Sequence, residues 1–191
     1  TITALIVILC VNVLHATRIN TGKLFQEWTT IFKIILILIF IIIGLFSVEH
    51  QPISILPTLY DIDLIFSPEF AVNLVWVSYA YAGWNSSIYV VGEIVQPEKN
   101  IFRSIFIGTF IVALLYILLN FVFLYTSPID QLIGKVEVGY FAGINLFGDK
   151  YAAIISLCIG LLLISTVSSY VYIGPRIIQA IGLDHHRLKI F

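Results

Sequence analysis

Charge is what this sequence has least of: 11% of its 191 residues are charged, against roughly 25% in soluble domains. A chain so poor in charge cannot keep its whole surface wet, which excludes an ordinary water-soluble globule. The charges nearly cancel, to a net of −1, and no basic run is present to meet phosphates, so nucleic acid is not an expected partner. Cysteine is scarce. Cys10 and Cys158 both fall in apolar runs and are read as small buried hydrophobes rather than as a disulfide or a metal pair. No Cys-x-x-Cys or His-x-x-x-His spacing occurs, so neither a metal site nor another cofactor is expected. His15, His50, His185 and His186 fall in connections or at their edges, and no carboxylate pair lies within an apolar run. An intramembrane enzyme would need a nucleophile with its base, or a metal set, at that depth. Methionine is missing altogether, and Thr1 stands directly at the start of an apolar run. The expectation is a polypeptide that continues beyond both ends of this sequence.

Hydrophobic residues, by contrast, make up 60% of the chain, with a mean hydropathy of +1.03. They gather in long runs. A bilayer crossing needs about 20 apolar residues, and four segments reach that length: 27–48, 70–91, 104–126 and 152–175. The opening run, 1–15, is shorter and reads as part of a span. All are expected to be helices, because an open strand cannot satisfy its backbone in lipid. Charge alternates along the connections. Arg18 and Lys23 lie in 15–26, Lys99 and Arg103 in 92–103, and Arg176, Arg187 and Lys189 in 176–191. Segment 49–69 holds Glu49, Asp61, Asp63 and Glu69 without a lysine or arginine, and 127–151 holds Asp130, Glu137 and Asp149 with Lys135 and Lys150. The positive-inside rule puts the first group in the cytoplasm and the two acidic connections outside, as in a cell's plasma or inner membrane. Loops above about 15 residues are expected to carry short helices of their own.

The span at 70–91 is unusual. Tyr79-Ala80-Tyr81-Ala82-Gly83-Trp84-Asn85-Ser86-Ser87 puts a glycine, an amide and two hydroxyls near the middle of an apolar crossing. Glycine costs about 1 kcal/mol relative to alanine inside a helix. A helix broken at Ala82–Gly83 would free backbone groups for a zwitterionic solute, with Tyr79, Tyr81 and Trp84 as walls. A continuous helix packing through its small residues, with Asn85 bonded to a neighbour, accounts for the same letters. Lys33 is the second outlier. An ammonium within a span is a functional candidate, although its stem is long enough to snorkel to the interface. In the last span, Ser165-Thr166-Val167-Ser168-Ser169 either lines an ion or proton site or bonds carbonyls one turn back. Tyr116 and Asn120 share a helix face four residues apart.

The segment Tyr79 to Asn85, followed by Gly92-Glu93-Ile94, Pro97-Glu98-Lys99-Asn100-Ile101 and Arg103, resembles the amino acid–polyamine–organocation superfamily, in particular its L-type amino acid transporters. It looks like that family's sixth helix and the cytoplasmic loop behind it. Phe25, Gln26, Thr29, Thr30 and Lys33 are similar to the fifth helix, and Gly174-Pro175-Arg176 to the end of the eighth. Phe102 and Ser168 depart from the pattern, which more often has Pro and Asn there. The resemblance implies an all-α membrane fold, here a fragment from about helix four to helix eight of a leucine-transporter-type inverted repeat, with 70–91 discontinuous. It implies an amino acid carried by alternating access, polyamines or other amines being the alternative and a channel a more distant one. Substrate would meet Tyr79, Ala80, Tyr81, Ala82, Gly83, Trp84, Asn85 and Tyr116. Lys33, with Ser165, Ser168 and Ser169, would stand where sodium-coupled relatives hold an ion. The expected partners are the lipid bilayer, the amino acid substrate and an accessory subunit of unknown identity.

Overall fold

The structure, a computed structural model, describes residues 2–17, 19–47, 50–53, 56 and 58–184. The expectations for Arg18, Glu49, His185, His186, Arg187 and Lys189 lie outside the described residues. The chain forms two compact units, 1–51 with 115–191 and 52–114. No strand occurs among the described residues.

In the first unit, α1 (Ile2–Thr17), α2 (Ile19–Leu45) and α8 (Ala152–Asp184) pack against one another, and α7 (Val138–Phe147) packs on α8. The unit also takes in the end of α5 (Pro97–Thr126) and the single turn α6 (Ile129–Leu132). Val11, Ile41, Val122 and Ile155 make its apolar interior. Small residues set the closest helix approaches. A β-carbon on Gly143 would come within 2.9 Å of Ile155, and one on Gly44 would collide with the Val122 side chain. A branched side chain cannot yield there without leaving its rotamer. Gly44→Ala is therefore expected to destabilise the protein by about 1–3 kcal/mol. A lowered thermal unfolding temperature of the purified protein would register it.

The second unit holds α3 (Leu59–Ile65), α4 (Pro68–Ala80), a 3-10 helix (Trp84–Glu93) and the first part of α5. Helix α4 begins as its sequence dictates: the Ser67 hydroxyl accepts from the Phe70 N–H at 3.2 Å and Pro68 occupies the first turn, where a missing N–H is harmless. Before α3, the Asp61 carboxylate accepts from the Thr58 N–H at 2.6 Å and the Thr58 hydroxyl at 2.8 Å. These bonds hold the Asp61 carboxyl below its ordinary range. Since the folded group titrates below the unfolded one, the cap's contribution is present above the ordinary carboxylate range and is lost as pH falls through the lowered value. Below about pH 4, amide exchange in α3 is expected to quicken in the wild type, and Asp61→Asn should abolish that pH dependence.

Among the described residues, three helices are long and apolar enough to cross a membrane: Gly22–Leu45, Pro97–Thr126 and Asp149–Gly182. Most of their apolar side chains face outward, Phe106, Ile117 and Leu163 among them. The protein is an all-α integral membrane protein. The crossing expected at 70–91 is not a single helix. Its α-helical part has 13 residues and its 3-10 part has 10, rising about 20 Å each at 1.5 and 2.0 Å per residue. The last helix runs past the expected limit of 175, through Pro175 to Asp184. Proline removes one helical hydrogen bond, and the Arg176 guanidinium donates to the Tyr172 carbonyl at 2.5 Å in the loosened turn. Short helices occupy the acidic connections, α3 in one and α6 and α7 in the other. The expectation for Cys10 is corrected: it is exposed on α1, whereas Cys158 is half-buried, and both are free thiols.

Candidate functional site

In the second unit, regular α-helix ends at Ala80. From Tyr81 onward the hydrogen bonds shorten to three-residue loops: Tyr81 N–H to Ser78, Ala82 to Tyr79, Trp84 to Tyr81 and Ser86 to Gly83, at 3.1–3.5 Å. A change of register of this kind strands carbonyls, since acceptors near the junction lose the donor four residues on. Among the described residues, no backbone N–H reaches the carbonyl of Ala82. Gly83 has αR dihedrals (φ −81°, ψ −6°) and open space around it, so it is not needed there to relieve strain or crowding. Ten consecutive residues of 3-10 helix are uncommon, and such stretches often mark hinges or strain.

The aromatic side chains of this segment are spread around it. Tyr79 is exposed, with its ring 6.1 Å from that of Trp76, while Tyr81 is half-buried. Trp84 lines an open groove of about 590 Å³ with Val91, Pro97, Ile101, Phe102 and Ile105. Ala80, Ala82 and Asn85 are exposed. Tyr116 belongs to the other unit, where Asn120 donates to its carbonyl at 2.8 Å. The shared face of Tyr116 and Asn120 is thus a side-chain-to-backbone contact within one turn.

The first unit contains a polar seam between α8 and its neighbours α1 and α2. Ser168, fully buried, shares a 2.8 Å hydrogen bond with His15 Nε2. Gln26 Nε2 donates to Ser169 Oγ at 2.5 Å, and that hydroxyl donates to the Ser165 carbonyl at 3.1 Å. Two turns further along α2, Lys33 Nζ donates to Thr166 Oγ1 at 3.1 Å, and Thr166 donates to the Leu162 carbonyl at 3.3 Å. The directions follow from donor counting. Because the Ser169 proton goes to a carbonyl, its oxygen must accept from Gln26, which fixes the amide's orientation. Gln26 Oε1 is then left buried without a partner among the described residues, as is Ser165 Oγ. Native interiors rarely leave such atoms unpaired, so each one calls for an explanation such as water or a ligand.

Lys33 is half-buried and joins α8, but through Thr166 rather than Ser165, Ser168 or Ser169. Those three serines gather at the same face, where two of them engage His15 and Gln26. His15 ends an apolar run, and the structure places it in the last turn of α1, where it meets α8. In the structure its ring lies edge-on to Phe25 at 6.4 Å and tilted to Tyr172 at 6.0 Å. Periodicity carried a usable signal. Gln26, Thr30 and Lys33 recur at four and three residues, as do Ser165, Ser169 and Tyr172, so each set forms one helix stripe. Among the described residues, no group of His, Cys, Asp and Glu could hold a metal ion.

The sequence pattern of the family described as amino acid permease matches residues 1–186. The chain is 25% identical over 195 residues to the b(0,+)-type amino acid transporter 1 of Mus musculus, covering 96% of this chain and 37% of that protein. It is 26% identical over 180 residues to the large neutral amino acids transporter small subunit 2 of Oryctolagus cuniculus, covering 93% of this chain and 32% of the relative. The human b(0,+)-type transporter is 24% identical over 192 residues, with 96% and 37% covered. The chain thus spans about a third of the length of the curated relatives it matches. No solved structure matches it.

Proposed function

The chain belongs to the amino acid permease family, and we propose that the protein carries amino acids across a membrane by alternating access, binding them where α4 gives way to the 3-10 helix. The observation that carries this reading is the carbonyl of Ala82, beside the end of α4 at Ala80, to which no backbone N–H among the described residues donates. A carbonyl without an internal donor suits an ammonium group, and broken helices supply such acceptors in transporters. Tyr79, Tyr81 and Trp84 would enclose the solute, with Ala80, Gly83 and Asn85 framing it.

Lys33, linked to Thr166, would act as a fixed cation between α2 and α8 in place of a metal ion, with Ser165, Ser168 and Ser169 alongside. In this reading the basic connections 15–26, 92–103 and 176–191 face the cytoplasm and 49–69 and 127–151 face outward. The helices would be part of an inverted repeat in a plasma or inner membrane. One relative's name describes it as a small subunit, which makes an accessory subunit a reasonable expectation for this protein too. The reading is tested with full-length protein in liposomes and radiolabelled neutral amino acids. Saturable uptake that accelerates with unlabelled amino acid inside supports an exchanger. Conductance without saturation would replace the carrier with a channel, and uptake of putrescine alone would replace the cargo.

A further inference from the structure

We infer that the amide-lined pocket between residue 51, α6 and α7 is a second binding site, for a small zwitterionic amino acid. The inference rests on the amino acid carrier reading for the identity of its ligand, but on separate residues for its geometry. The pocket is a half-open cleft of about 180 Å³, lined by Gln51, Thr126, Pro128, Gln131 and Asn145. That space suits a small solute such as alanine. It is too small for most drug-sized ligands, whose pockets start near 300 Å³.

Its walls are tied together. The Gln51 N–H donates to the Tyr125 carbonyl at 2.8 Å, and the preceding His50 ring stacks on Tyr125 at 4.8 Å. Asn145 Nδ2 donates to Gln131 Oε1 at 2.8 Å, joining α7 to α6. Thr126 and Ser127 beneath are buried, and the Thr126 hydroxyl donates to the Val122 carbonyl at 2.8 Å.

The chemistry follows from what these bonds leave over. With Asn145 and Gln131 paired, the Asn145 carbonyl oxygen and the Gln131 amino group remain for a ligand. Exchanging oxygen and nitrogen in both side chains preserves that balance of one acceptor and one donor group. Gln51 adds another of each, because its backbone and not its side chain makes the bond to Tyr125. The lining holds no charged side chain. An isolated ion would lose hydration there without a counter-charge. A zwitterion has no net charge, and it can set its ammonium against amide oxygens and its carboxylate against amide N–H groups. The pocket lies in the connections whose acidic character assigns them to the outside, so it would hold solute at the outer mouth.

The test is the stoichiometry of tritiated L-alanine bound to the full-length protein in nanodiscs, for wild type, Gln51→Leu and Asn145→Leu. Two alanines per protein are expected in the wild type and one in each variant. In liposomes the variants should keep saturating uptake and lose about threefold at low alanine. Gln51→Leu leaves the backbone bond to Tyr125 intact, so it guards against misfolding of Asn145→Leu. Equal stoichiometry in wild type and both variants overturns the inference, even where uptake is robust and the carrier reading stands. Absent uptake, with one bound alanine that both variants abolish, sinks the carrier reading and upholds the pocket.

Discussion

Uptake of labelled amino acid by the full-length protein in liposomes is expected to fall at least tenfold when Lys33 is replaced by alanine. The ammonium donates to Thr166 across the α2–α8 contact at 3.1 Å. A hydrogen bond to a charged group contributes about 1.5–3 kcal/mol, which corresponds to roughly ten- to more than a hundredfold when it is needed in the transport cycle. The loss is larger than a surface charge could give. Lys23, six residues past the nearest turn of α1, shows the contrast: its pair with Glu27 is 3.8 Å long and both partners are more than half exposed, so Lys23→Ala should change uptake little. Lys33→Arg keeps the charge in a bulkier, planar group and is expected to retain partial activity. Wild-type rates for Lys33→Ala would remove the lysine from the mechanism and leave it a snorkelling side chain.

Gly83→Leu is expected to reduce uptake at least tenfold while leaving the thermal stability of the protein within about 1 kcal/mol of wild type. The two halves of this result have separate causes. Nothing lies within 4 Å of a β-carbon at this position, and φ is −81°, so a side chain meets neither a clash nor a forbidden backbone. Leucine is also the better helix former by roughly 1 kcal/mol, which would favour closing the interruption after Ala80. A side chain beside the Ala82 carbonyl would moreover occupy the space proposed for the solute. Gly44→Ala is the mirror image, a change expected to hurt stability through Val122. If Gly83→Leu were to transport normally, the proposed substrate position would be wrong whatever the family.

The residues differ in how far they could be read from their letters. The Tyr79–Asn85 segment stood out because glycine, asparagine and serine are conspicuous in an apolar run, and a local cost in helix propensity needs no partner to be seen. The α-helix nonetheless ends at Ala80 rather than at Ala82–Gly83. The register change needs a turn of its own before the 3-10 helix at Trp84, and composition does not report which residue gives up its bond. Lys33 was conspicuous for its charge, but its partner was not: Ser165, Thr166, Ser168 and Ser169 all bear hydroxyls, and the rotation of α8 about its axis selects Thr166. His15 was hidden because its significance lies in contacts 153 residues away, with Ser168.

By itself the sequence determined that the chain lives in a membrane, that it is helical, and where polarity intrudes on its apolar spans. These follow from transfer free energies and backbone hydrogen bonding, which act on each segment before any segment meets another. Only the tertiary structure decided which polar groups join across α1, α2 and α8, which are left without a partner among the described residues at Gln26 and Ser165, and how residues 51, 126–131 and 145 line a pocket. Such pairings depend on helix rotation and close approach, fixed by small residues such as Gly44 and Gly143 acting over long sequence separations.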